Sequence, residues 1–327
     1  MPPQTATRQD ELMQPKQPER RREPDAIPLD EVRPVISTEA PQRPILALAK
    51  YMTRTEVHTY AFSVAANVIL SLFPFIVMMM TLTRHVFNSL AMFNVLQQMM
   101  WHFLPANQEF IIRNMKILAN PHKGVQIYSL IMLIISSTGV FLPLEVALNG
   151  VWGVKENRSY LHNQLVSIGL ALGVGVLAMG SVAISTAQQT ILGAVFFHHT
   201  SNAAYDFLAR TTVGMLGAVL AILIFFLIYW VLPNRKIPAR AVLPTAIVTG
   251  LLWQLAKVVY VAVLPKLDFV AVYGPFYVSV GLMIWAFLSG LMLLAGAHFS
   301  ATRYALRVAR EEEKEEATEK ASNGSRT

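Results

Sequence analysis

Six apolar stretches, each near the ~20 residues that cross a bilayer as a helix, dominate this chain and restrict what it can become. They lie at about 60–83, 126–149, 164–187, 211–232, 241–264 and 275–298. Backbone in hydrocarbon must satisfy its own polar groups, so runs of this length and number read as helices. The fold class that follows is all-α, an integral membrane bundle of six transmembrane helices. Charge supports the same reading. Only 14% of the 327 residues are charged, against about 25% in soluble domains. Of the 20 acidic residues, only Glu109, Glu145, Glu156, Asp206 and Asp268 lie between residues 60 and 310.

The flanks differ in kind. Residues 1–43 hold eight of the 18 prolines, many charges and few large apolar side chains, and are expected to form a disordered cytoplasmic tail. Residues 44–305 make the membrane domain. Residues 306–327 form a charged cytoplasmic tail, whose Glu/Lys run extends the last helix before fraying. The flanks 1–59 and 299–327 and the 150–163 and 233–240 loops carry 20 of the 27 Lys and Arg residues, which puts both termini in the cytoplasm. The net charge of +7 thus reads as an orientation signal, and no nucleic-acid partner is expected. With no cysteine, disulfides and thiolate metal sites are excluded.

The connection 84–125 is too apolar for a plain loop. Leu90, Phe93, Leu96, Met100 and Phe103 recur at helical spacing, followed by Pro105 and a stretch with Arg113 and Lys116. This predicts an outer-face amphipathic helical hairpin between spans 1 and 2, either lying in the interface or capping the bundle.

Ionisable and polar residues inside the spans are the candidates for function, because such groups are costly in lipid. Glu145 sits near the end of span 2, with Asn149 one turn on. Ser63, Asn67 and Ser71 form a stripe on span 1, before Pro74, and read either as the lining of a water-filled path or as a helix–helix seam. Lys257 and Gln254 share a face of span 5. Rise per residue places Glu145 about 6 Å, and Lys257 about 24 Å, from the cytoplasmic ends of their helices, which argues against a simple ion pair. Two readings of Glu145 stand: a cytoplasmic clasp with Arg158, Arg235 or Arg240, or a gate or proton-coupled site. Gly169 and Gly173 form a small-xxx-small pair for helix packing. His198 and His199 point apart in regular structure and read as a solvated loop. No metal site is expected, and no cofactor motif is present.

The stretch 229–301 resembles the C-terminal signature of the YihY/BrkB family of membrane proteins. The matching residues include Pro233 and Asn234, Trp253 with Lys257, Tyr273 and Gly274, Trp285 and Gly296. "LEVALNGVWGV" is similar to the family's segment after span 2, with Glu145, Asn149, Trp152 and Gly153 in register, and "FSVAANVILSLFPF" to its first span, including Pro74. Thr245, Pro275 and His298 depart from the pattern. The resemblance implies a six-span bacterial inner-membrane protein from a family once labelled ribonuclease BN, without a defined activity. The resemblance also implies a role in envelope maintenance, and interrupted spans at Pro74, Pro143, Pro244 and Pro275 with the polar groups at membrane depth point to a non-enzymatic, permease-like one. The cargo class would be a lipid, a lipid-linked molecule or a small amphipath. Two rivals stand beside it: a non-transporting envelope scaffold and, less favoured, a tRNA-processing ribonuclease. Expected partners are membrane lipids and an unidentified cargo or envelope protein, with homo-oligomerisation left open.

Overall fold

The computed structural model describes residues 44–103, 123–154, 158–195 and 203–324, and every regular element among them is helical. A short helix α1 (Pro44–Met52) leads into α2 (Thr55–Thr81), which ends in a π-helical turn, Leu82–Val86. Then come α3 (Leu90–Phe103), α4 (Lys123–Val151), α5 (Tyr160–Val195), α6 (Ala203–Val231) and α7 (Ala239–Val263). A broken segment follows, with a 3-10 turn Leu264–Leu267, the single-turn helix α8 (Phe269–Tyr273) and a second 3-10 turn Gly274–Phe276. The last helix, α9, runs unbroken for 48 residues from Tyr277 to Gly324.

Among the described residues, six segments are long and apolar enough to cross a membrane: Thr55–Val86, Lys123–Val151, Tyr160–Gln188, Gly214–Val231, Ala239–Val263 and Phe269–Glu311. They match the six predicted spans one for one. Their order puts α1, the α4–α5 connection and the α6–α7 connection at one end of the bundle, here called proximal. The turn 82–86, α3 and the broken segment 264–276 lie at the other, distal end.

Helices in lipid gain little from burying apolar surface against one another, so close approach and hydrogen bonds decide the packing. Small residues mark the crossings. A Cβ at Gly250 of α7 would fall 2.9 Å from the Ile222 backbone of α6, so only glycine permits that approach. Gly290 of α9 lies similarly against Ala61 of α2. The predicted pair Gly169 and Gly173 is not such a crossing: Gly173 meets Leu227 of α6, but nothing lies within 4 Å of a Cβ at Gly169.

Pro74, Pro143 and Pro244 sit inside α2, α4 and α7, where each removes one backbone donor from the ladder. Pro275 does not interrupt a helix. It lies in the 3-10 turn ahead of α9, next to Gly274 at φ 51°, a conformation that L side chains rarely adopt.

Within the predicted outer hairpin, α3 folds back over the distal ends of α2 and α5. Its Met92, Phe93, Val95 and Leu96 are buried with Ile76, Met79 and Met80 of α2 and Met179 and Val182 of α5. It packs on these two helices of the bundle. The buried face is rotated from the predicted stripe, and Leu90 is 67% exposed. Pro105, Arg113, Lys116, the His198–His199 pair and the tail 1–43 fall outside the described residues.

Candidate functional site

The proximal end of α4 forms the centre of the site, and its sequence explains its shape. Gly153, at φ 67°, closes the helix in a left-handed turn. The Val154 N–H donates to the Asn149 carbonyl at 2.9 Å, and the Gly153 N–H to the Gly150 carbonyl at 3.4 Å. These two bonds make a Schellman cap, the arrangement a glycine just past a helix end favours. The cap turns the Trp152 side chain inward, where it is buried with its ring 6.0 Å from Tyr304 of α9.

The capped end grips the α6–α7 connection. The Asn234 N–H donates to Asn149 Oδ1 at 2.8 Å, which fixes the orientation of the Asn149 carboxamide. Arg158 donates through Nε to Asn234 Oδ1 at 2.9 Å, through Nη2 to the Pro233 carbonyl at 3.0 Å and through Nη1 to the Leu232 carbonyl at 3.4 Å. Arg235 Nη1 donates to the Trp152 carbonyl at 3.3 Å. Burial pulls the Arg235 guanidinium below its ordinary value. A clasp thus forms, with partners other than those expected. Arg158 and Arg235 bind backbone carbonyls and Asn234 rather than Glu145, and Arg240 is exposed on α7. The physical reason is geometric, since three carbonyl and amide oxygens of one loop match the spread of the Arg158 donors.

Glu145 lies one turn deeper and is 2% exposed. Arg158 is near enough to attract it, and the Asn149 amide leans on its carboxyl. Yet neither Glu145 Oε1 nor Asn149 Nδ2 has a partner in hydrogen-bonding geometry. The Glu145 carboxyl and the Asn149 amide thus stand next to one another, one turn apart, outside the bonded clasp.

The other candidates form separate groups. On α2, Asn67 Nδ2 donates to the Ser63 carbonyl at 2.9 Å and Ser71 Oγ to the Val68 carbonyl at 2.9 Å. The Asn67 side chain occupies the notch over Gly139 of α4, so this stripe borders a helix–helix seam. In the distal half, Lys257 Nζ stands 5.7 Å from the centre of the Trp253 ring. Trp253 donates to Ser289 at 2.8 Å and lies 5.3 Å from Trp285, centre to centre. The amide of Gln254 faces Gly217 of α6, and its Oε1 is buried without a partner. Tyr273 and Gly274 belong to the distal break before α9.

Two buried features had no clear sequence signal. Tyr229 Oη donates to the Leu293 carbonyl at 2.9 Å and stands 3.4 Å from Thr249 Oγ1, filling the space left by Gly296. Tyr51 of α1 stacks on His298 of α9 with ring centres 4.3 Å apart. Burial pushes the Tyr51 phenol up to about 12. An aromatic residue ending an amphipathic segment is the only cue for that dock.

Six apolar spans, the second to fifth of them tied by a polar clasp, define a multi-pass membrane protein. The chain belongs to the virulence factor BrkB family, whose model matches residues 48–321. It is similar to the ribonuclease-like protein YfkH of Bacillus subtilis (strain 168), at 24% identity over 71% of this chain and 85% of that one. A UPF0761 membrane protein of Alteromonas mediterranea is 23% identical over 84% of this chain and 92% of its own. Another, from Acinetobacter baylyi, is 25% identical over 63% of this chain. The chain spans about half of that relative's length, at 48%. No solved structure matches.

Proposed function

We propose that the protein is a permease-like component of the bacterial inner membrane that moves a lipid, lipid-linked or small amphipathic cargo, with its proximal end in the cytoplasm. The observation that carries this reading is the buried Glu145 carboxyl itself, set one turn deeper than the bonded clasp with the Asn149 amide beside it. A carboxyl at that depth is costly and marks a candidate functional group by default. Proline-interrupted helices beside it supply the places where spans can bend. The orientation rests on the basic residues gathered proximally, among them Arg158, Arg235, Lys236, Arg240 and Arg303.

The scaffold reading has its own support in the bonded clasp and in the Asn67–Gly139 seam, which lock helices without moving anything. A ribonuclease, the activity in the Bacillus relative's name, would need a hydrolytic constellation. Among the described residues no three His, Asp or Glu gather closely enough to hold a metal ion.

The deciding experiment reconstitutes wild type and Glu145→Gln into proteoliposomes and measures transbilayer movement of a fluorescent phospholipid. Transport predicts protein-dependent movement that falls in Glu145→Gln while thermal stability is kept. Equal movement in both counts against a role for Glu145. Movement no faster than in protein-free vesicles, with altered stability in the variant, favours the scaffold.

A further inference from the structure

The short helix α1 is apolar on two faces. Its inner face carries Tyr51, buried and stacked on His298 of α9, and Met52, packed against the same core. Its outer face carries Ile45, Leu46, Ala49 and Lys50, which helical spacing sets on one side and which are all exposed. Ile45 is 78% exposed and Leu46 67%. A helix that is apolar all round is a covered one, and α9 covers only the inner face.

The depth of α1 says what covers the other. Tyr51 meets α9 at His298, the last residue of the apolar stretch 275–298. His58 Nε2 of α2 donates to the Met52 carbonyl at 2.9 Å, and the Arg54 N–H donates to the Tyr51 carbonyl at 3.1 Å. The end of α1 is thus pinned at the edge of the hydrocarbon. Leu46 lies five residues from Tyr51, about 7.5 Å along the helix, so no tilt of α1 carries it farther than that from the edge. A headgroup layer is itself about 5–8 Å thick on each side. The outer face therefore stays at headgroup level whatever direction α1 takes.

Neighbouring residues select the kind of lipid. From Pro44 to Thr55 the chain carries two cations, Lys50 and Arg54, both exposed, and no acid. Cations at that level attract anionic headgroups. Tyr160 and Leu161 at the start of α5 and Trp230 near the end of α6 are also exposed at the proximal end, as in an interfacial aromatic belt. The outer face of α1 belongs to that belt.

We propose that α1 lies in the headgroup layer of the proximal leaflet, with Ile45 and Leu46 inserted among the lipids and Lys50 and Arg54 paired with anionic phospholipid phosphates. This anchoring rests on neither the transport nor the scaffold reading.

The test uses the lack of native cysteine, which makes Ile45→Cys and Leu46→Cys single labelling sites on exposed positions. Full-length protein with bimane at either site is reconstituted into phosphatidylcholine vesicles. The vesicles contain a small share of phosphatidylglycerol or phosphatidylcholine with a nitroxide near the top of the acyl chain. Fluorescence quenching by the nitroxide and by iodide, present on both sides of the membrane, is measured. At both sites the nitroxide should quench, and iodide should quench less than it does the free dye. Iodide quenching equal to that of the free dye overturns the insertion. Absence of nitroxide quenching assigns the face to a protein cover, the tail 1–43 or a second copy, and also overturns it. Nitroxide phosphatidylglycerol should quench about fivefold more than nitroxide phosphatidylcholine, the enrichment one cation gives at an anionic surface. Combining Lys50→Gln and Arg54→Gln should bring the two lipids level. Equal quenching by both lipids when the cations are present, or an unchanged ratio without them, overturns the phosphate pairing.

Discussion

The proximal and distal halves of the bundle are held by different forces. Proximally, Asn149, Arg158, Asn234 and Arg235 form directional bonds between α4, the start of α5 and the α6–α7 connection. Distally, α2, α3 and α5 meet through Met79, Met80, Met92, Met179 and Phe93, and Arg84 lies 4.4 Å above the Phe93 ring. Buried hydroxyls of Thr81, Ser181 and Ser185 on those helices have no partner. In lipid, hydrogen bonds fix the relative position of helices more firmly than apolar contact does, and methionine packs adaptably. The clasp is thus the more firmly fixed of the two, and the methionine-rich contact of α2, α3 and α5 is where helices can shift at low cost.

Substitutions can break or sharpen that contrast. Arg158→Ala should have the largest effect, because it removes three bonds and strands two carbonyls. A loss of about 3 kcal/mol is expected in detergent-solubilised unfolding. Asn149→Ala follows at about 1–2 kcal/mol, since it frees only the Asn234 N–H while leaving the backbone cap intact. Met179→Ala, in the distal cluster, should cost about 1 kcal/mol, because lipid or neighbouring methionines refill the space. A Met179→Ala cost above that of Arg158→Ala would overturn the contrast. Glu145→Gln should have the smallest effect on stability, near zero or slightly favourable, since a neutral amide replaces a carboxyl lacking one partner. A loss as large as that of Asn149→Ala would make Glu145 part of the clasp after all.

Much of the fold was legible in the sequence because lipid imposes a simple demand. Charge-poor runs of the right length gave six spans whose ends lie within a few residues of the helices, except where α5 runs on to Val195, where α6 starts at Ala203, and at the last helix. There Gly274 and Pro275 build a broken entry, and the Glu/Lys run carries α9 onward to Gly324. Contacts between distant residues were not legible. Asn149 and Asn234 are 85 positions apart, and no local pattern announces their bond. Periodicity showed that Ser63, Asn67 and Ser71 share a face, but whether that face meets water or Gly139 depends on a neighbouring helix. Likewise, a repeated glycine pair attracted notice at 169 and 173, whereas the close crossing is made by the single Gly250. Arg158 and Arg235 were expected to clasp Glu145 together with Arg240, but Arg240 stands exposed, and the carbonyl partners of the other two appear only once the α6–α7 connection is folded.

The length of α9 has a mechanical consequence. A helix of 48 residues is about 72 Å long, more than twice the hydrocarbon thickness, so its charged end extends beyond the bilayer as a stiff arm. Its fulcrum is near the Tyr51–His298 stack and the Trp152–Tyr304 contact. From His298 to Gly324 the arm measures about 39 Å, so a tilt of about 10° at the fulcrum moves the tip about 7 Å. Small rearrangements among the spans are thereby magnified at the Glu/Lys-rich tip. A load applied at that tip acts back on the bundle with the same leverage.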